Sequence, residues 1–88
     1  MTEPYRIAVT ARAARDLERL PQKIAAACVE FLFGPLADNP QRVRKALRAE
    51  LAGSHSARRG DYRVIYAIRE DDRVVEVEHI DRRSDIYR

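Results

Sequence analysis

Apolar and polar positions change period twice along this 88-residue chain. Residues 5–9 alternate around Ile7 and Val9, which predicts a short first strand. Thr10 is a good N-cap for the alanine- and arginine-rich stretch that follows, where Ala13, Leu17 and Leu20 recur at helical spacing. Leu20-Pro21 ends that helix, because proline disfavours a helical residue before it and has no N–H to continue the ladder. Pro21 suits the first turn of a second helix, with Ile24, Ala27, Cys28, Phe31 and Leu32 on one side. Gly34-Pro35 ends or kinks it, leaving Leu36 to pack nearby, and Cys28 reads as a small buried hydrophobe rather than a nucleophile. The short connection makes the two helices an antiparallel hairpin.

Asp38-Asn39-Pro40 marks a loop, and residues 41–50 form a basic connection in which Leu47 and Leu51 are the anchors. The period is two from Ala52 onward. Residues 53–59, 61–69 and 73–80 read as strands, joined by a Gly60-Asp61 corner and a Glu70-Asp71-Asp72 turn, with a short charged tail over 81–88. A strand, two helices and then a run of strands predict an α+β fold: an N-terminal strand, a two-helix hairpin and a three-stranded antiparallel meander, with both helices on one face of the sheet. Tyr62, Val64, Tyr66 and Ile68 share the core face; Arg63, Ile65 and Ala67 share the open one. His79 alternates with Val75 and Val77 and is assigned to the packed side. With no internal repeat or linker, residues 1–88 read as a single domain.

Composition narrows the class. Apolar content of 45% and charged content of 35% describe a soluble globular domain, expected in the cytoplasm. No run approaches the ~20 apolar residues of a membrane span, and the first residues hold no signal-peptide core. Cys28, the lone cysteine, has no internal disulfide partner. Fifteen of the 17 basic side chains are arginine. Their placement is more informative: residues 41–63 hold seven basic side chains against Glu50 and Asp61, whereas residues 1–40 are balanced. Such a local excess suits a phosphate polyanion, an acidic protein partner, or plain solvation.

The richest stretch is 54–68, SHSARRGDYRVIYAI, where Arg58 and Arg59 precede the Gly60-Asp61 corner and Arg63 opens the next strand. Taken alone, Arg63 is either a phosphate ligand or the partner of Glu76 or Glu78 on the adjacent strand. Arg83 has a local partner in Asp85, and Tyr87 also suits a cap on the core edge. His55 is either a group that titrates near neutral pH or a wet strand residue.

Four segments together, AARDLERLP (13–21), NP (39–40), RRGDYRVIY (58–66) and RRSDIYR (82–88), resemble the RelE toxins of the RelE/ParE superfamily of type II toxin–antitoxin modules. That resemblance implies a metal-independent endoribonuclease with no cofactor, which enters the A site of the 70S ribosome and cuts mRNA by attack of the ribose 2′-hydroxyl. It also implies a RelB-type antitoxin as partner, operator DNA bound only through the antitoxin complex, and no membrane association. Carried onto this chain, it makes Arg63 and Arg83 a clamp on the scissile phosphate and Tyr87 a stacking or positioning group. Arg58, Arg59, Lys45, Arg48 and Arg82 are the supporting RNA contacts. The family's catalytic lysines have no counterpart in the second predicted strand of the chain, which reads Ser54-His55-Ser56-Ala57-Arg58-Arg59. Arginine is too basic to serve as a general base, so His55 and Tyr87 remain as acid–base candidates. Two rivals stay open: a ParE-like inhibitor of DNA gyrase, and an inactive co-repressor that only binds its antitoxin.

Overall fold

The computed structural model describes residues 3–40, 45–46 and 53–82. In chain order these form strand β1 (Arg6–Val9), helix α1 (Ala11–Arg19), helix α2 (Gln22–Phe31), a π-helical turn (Leu32–Leu36), and strands β2 (Lys45–Ala46), β3 (His55–Arg59), β4 (Tyr62–Arg69) and β5 (Val74–Arg82). The α+β class is as expected, but the sheet is not a pure meander. Its order is β1-β5-β4-β3-β2, with β1 parallel to β5 and every other pair antiparallel.

Local chemistry sets most of the boundaries. Thr10 caps α1, its Oγ1 accepting from the Ala13 N–H at 3.1 Å. Pro21 separates the two helices, as its missing donor requires. Gly34-Pro35 does not stop α2 outright; the chain widens into the π-helical turn and carries Leu32 and Leu36 into the core. Between β3 and β4 the two-residue loop places Gly60 at φ 52, a conformation that glycine adopts without a Cβ penalty.

The core lies between the helices and one face of the sheet. Leu32, Leu36, Val64, Val75, Val77 and Cys28 are fully buried there. Tyr66 is buried as deeply, and its hydroxyl donates to the Pro40 carbonyl at 3.0 Å, so the polar tip is not stranded. Burial pushes the Cys28 thiol up to about 11, consistent with a packing role.

A bulge in β5 changes one assignment. Ile65 pairs with His79 but Tyr66 pairs with Val77, so Glu78 and His79 together occupy one step of the ladder. The inward set is therefore Val75, Val77 and then Ile80. His79, expected in the core, turns to the open side instead.

Candidate active site on the open face of the sheet

Cross-strand register decides which side chains meet. Arg58 of β3 lies directly opposite Arg63 of β4, which lies opposite Asp81 of β5. Ile65 and His79 form the next rung on the same face. Arg63, Ile65, His79 and Asp81, together with Arg12 of α1, Ser54 and Glu78, line an open cavity of about 410 Å³. Arg63 does not pair with Glu76 or Glu78; its Nη2 stands 3.8 Å from Asp81 Oδ2. Both partners are about one-third exposed, so the pair is worth under about 1 kcal/mol. The Arg63 Nε is buried without a hydrogen-bond partner among the described residues, an unsatisfied donor next to the cavity.

The far wall of the cavity is a network around His79. Its Nδ1 lies 2.7 Å from Asp16 Oδ2, its Nε2 lies 2.6 Å from Asp81 Oδ1, and Arg12 approaches Nε2 at 3.5 Å. Asp16 is there because β1 ends opposite Val77, leaving the outer edge of β5 without a strand beyond that point. Helix α1 covers this edge, and Asp16 accepts the Ile80 N–H at 2.9 Å. Burial alone would raise the Asp16 pKa; the Ile80 N–H, His79 and Arg12 outweigh it and hold the carboxyl below its ordinary value. Ser54 donates to Glu78 at 3.0 Å on the same side.

The proposed RNA contacts divide between the two faces. Arg58 and Arg63 stand together on the open face. Arg59 lies on the helix side, its guanidinium 4.7 Å from the centre of the Phe31 ring. Arg82 pairs in register with Tyr62 and so shares that side. His55 pairs with Tyr66, and the two ring centres are 5.7 Å apart on the helix side, which separates His55 from Arg63 by the thickness of the sheet. Lys45 pairs with Ser56 at the β2 edge. Arg48, Arg83 and Tyr87 lie outside the described residues. Sequence reasoning passed over Arg12, Asp16, His79 and Asp81 as site residues. The one signal for the bulge was the step from Val77 to Ile80, which breaks an otherwise regular alternation.

Comparison with known proteins agrees with this architecture. Residues 7–87 match the family model for the ParE toxin of the type II toxin–antitoxin system parDE. The chain is 66% identical to Toxin RelE of Mycobacterium tuberculosis, over 97% of this chain and 88% of that protein. It is 52% identical to Toxin RelG of the same organism, over 97% and 98% of the two chains. Among solved structures, the toxin–antitoxin complex RelBE2 of M. tuberculosis contains a chain that matches with a TM-score of 0.92 at 48% identity, covering 97% of this chain and 98% of that one. The RelBE complex of E. coli, at 18% identity and a TM-score of 0.74 over 89% and 95% of the chains, shares the fold. The chain belongs to the RelE/ParE superfamily of type II toxins.

Proposed function

We propose that this RelE/ParE-superfamily chain is the toxin of a type II module and a ribosome-dependent endoribonuclease, cutting mRNA in the A site and so stopping translation. One observation carries the reading: Arg63, with Arg58 opposite it on the neighbouring strand, stands at a cavity that also holds the imidazole of His79. A pure docking surface needs no such convergence. In the proposed reaction the 2′-oxygen attacks the adjacent phosphorus, and charge builds on the phosphate oxygens. Arg63 neutralises that charge with a planar fork matched to two oxygens, and Arg83 closes the clamp from the chain's end. Tyr87 stacks on a base of the codon, and Arg58 supports the phosphate beside Arg63. Lys45 and Arg48 contact RNA farther out, whereas Arg59 and Arg82, on the helix side, do so only where RNA passes around the sheet edge.

The partner that silences the chain is a RelB-type antitoxin, and operator DNA is reached only through that complex. Among the described residues no helix is long and apolar enough to cross a membrane.

The test is to induce the chain without its antitoxin and map mRNA 5′ ends. Wild-type protein should cut within translated codons. Arg63→Ala should slow single-turnover cleavage on programmed ribosomes by 10²–10³, about 3 kcal/mol of transition-state stabilisation. Growth arrest with every transcript intact overturns the ribonuclease. If DNA breaks and an SOS response appear instead, the chain is a gyrase inhibitor, a reading that the ParE family match keeps in view. Normal growth would leave only the inert co-repressor.

A further inference from the structure

The ribonuclease reading gives the phosphate a ligand but leaves proton transfer unassigned. Arg58 and Arg59 stay charged at any working pH, and His55 lies across the sheet from Arg63. The bulge in β5 supplies what β3 lacks, because it turns His79 into the cavity beside Arg63.

His79 is not merely exposed there; it is oriented. Asp16 binds the Ile80 N–H at 2.9 Å and His79 Nδ1 at 2.7 Å through the same oxygen, so one carboxylate ties the ring to the strand that bears it. A carboxylate fixed on one ring nitrogen sets the tautomer and aims the other nitrogen, which is how an imidazole is prepared to carry a proton. The aimed nitrogen, Nε2, meets Asp81 at 2.6 Å, and Asp81 is also the group facing Arg63 at 3.8 Å. Asp81 thus stands between the imidazole and the phosphate ligand. A phosphodiester offers Arg63 two oxygens in fork geometry and displaces so long and exposed a pair easily, leaving Asp81 and His79 side by side at the bound phosphate.

We infer that His79, positioned by Asp16, and Asp81 form the acid–base pair of the cleavage; the inference rests on the ribonuclease reading. Asp81 takes the proton of the 2′-hydroxyl as the 2′-oxygen bonds to phosphorus. The bond from phosphorus to the 5′-oxygen breaks, its electron pair stays on that oxygen, and His79 Nε2 gives it a proton. The products are a 2′,3′-cyclic phosphate and a free 5′-hydroxyl, and neither water nor a redox partner is consumed. The proton on Asp81 then returns to His79 along their hydrogen bond. The charged groups that face the ring are Arg12 and Asp16 on α1, Glu78 and Asp81 on β5, and Arg63 on β4.

The experiment is single-turnover cleavage on programmed ribosomes from about pH 5 to pH 9, with wild type, His79→Gln, Asp16→Asn and His79→Ala plus added imidazole. His79→Gln should lose about 10²–10⁴ in rate and the alkaline limb of the profile, with ribosome binding unchanged. Asp16→Asn should lose about 10–100-fold in rate with ribosome binding unchanged, because the ring loses the carboxylate that fixes its tautomer and aim. Imidazole should restore part of the His79→Ala rate, a result that damage to packing would not give. If His79→Gln, folded by circular dichroism, cuts at the wild-type rate with the same profile, the acid–base assignment is wrong while the ribonuclease stands. The same holds if His79→Ala binds ribosomes but imidazole gives back nothing. Wild-type protein that cuts no mRNA takes down both.

Discussion

The two faces of the sheet are made from the same strands and do opposite work. On the helix side Tyr62, Val64, Tyr66, Val75 and Val77 exclude water, and even Arg59 lies over an aromatic ring. On the open side the alternate residues of those strands, Arg58, Arg63, His79 and Asp81, keep their polar groups within reach of solvent. Stability and chemistry are therefore separable at single-residue resolution, since a pleated strand sends neighbours to opposite sides. The largest effect should come from breaking the helix side. Leu32 is fully buried in the π-helical turn. Leu32→Ala should cost about 2–5 kcal/mol in chemical denaturation, the range for a large core truncation. At temperatures where the variant stays folded, its cleavage rate should remain close to wild type. A comparable loss of cleavage in the folded variant would mean that the faces are coupled.

Opposite ends of the pH scale should expose the same division. Cys28 belongs to the packed side, and burial raises its thiol from 9.0 to about 11. A group whose folded pKa is raised contributes stability below the unfolded value and loses it as pH climbs through the folded one. Denaturation midpoints should therefore fall between about pH 9 and pH 11, by an amount near 2 kcal/mol, and Cys28→Ala should flatten that limb. Tyr62, pushed up to about 12 by burial first and by Cys28 second, adds to the decline at the top of the range. Asp16 at the edge of the open cavity runs the other way. Its lowered pKa contributes stability above the unfolded value of 3.8, which is lost as pH falls through the folded one. Asp16→Asn should flatten the acid limb and leave the alkaline limb unchanged.

Much of this division was legible in the sequence, and the parts that were not share a cause. Period two over 61–69 sorted Tyr62, Val64 and Tyr66 from Arg63 and Ile65 correctly, because β4 is regular through its length. Thr10 and Pro21 announced their helix boundaries through local chemistry that needs no tertiary partner. The parallel pairing of β1 with β5 left no local trace, being a contact between the two ends of the fold. Strand β2, with two residues, is too short to show a period. The bulge is the instructive miss. Residues 75–79 read as an unbroken alternation, and an inserted residue inverts every assignment after it. His79 and Asp81 were hidden as site residues for that reason alone.

The smallest and sharpest break in the comparison lies at two adjacent arginines. Arg58 and Arg59 look interchangeable in the sequence, yet the pleat puts Arg58 opposite Arg63 and sends Arg59 to Phe31. If the open face holds the RNA backbone, Arg58→Ala should weaken ribosome–mRNA complex formation and lower the slope of log affinity against log salt by about one. Its denaturation midpoint should hardly move, because an exposed arginine on a wet face contributes little to folding. Arg59→Ala should do the reverse and lose about 0.5–1 kcal/mol of stability with its cation–π contact, at an unchanged salt slope. Measuring both variants in both assays gives four numbers and one pattern. Equal salt slopes for the two would show that RNA reaches around the sheet edge to the helix side. In that case Arg82, which shares that side with Tyr62, becomes the next arginine to remove.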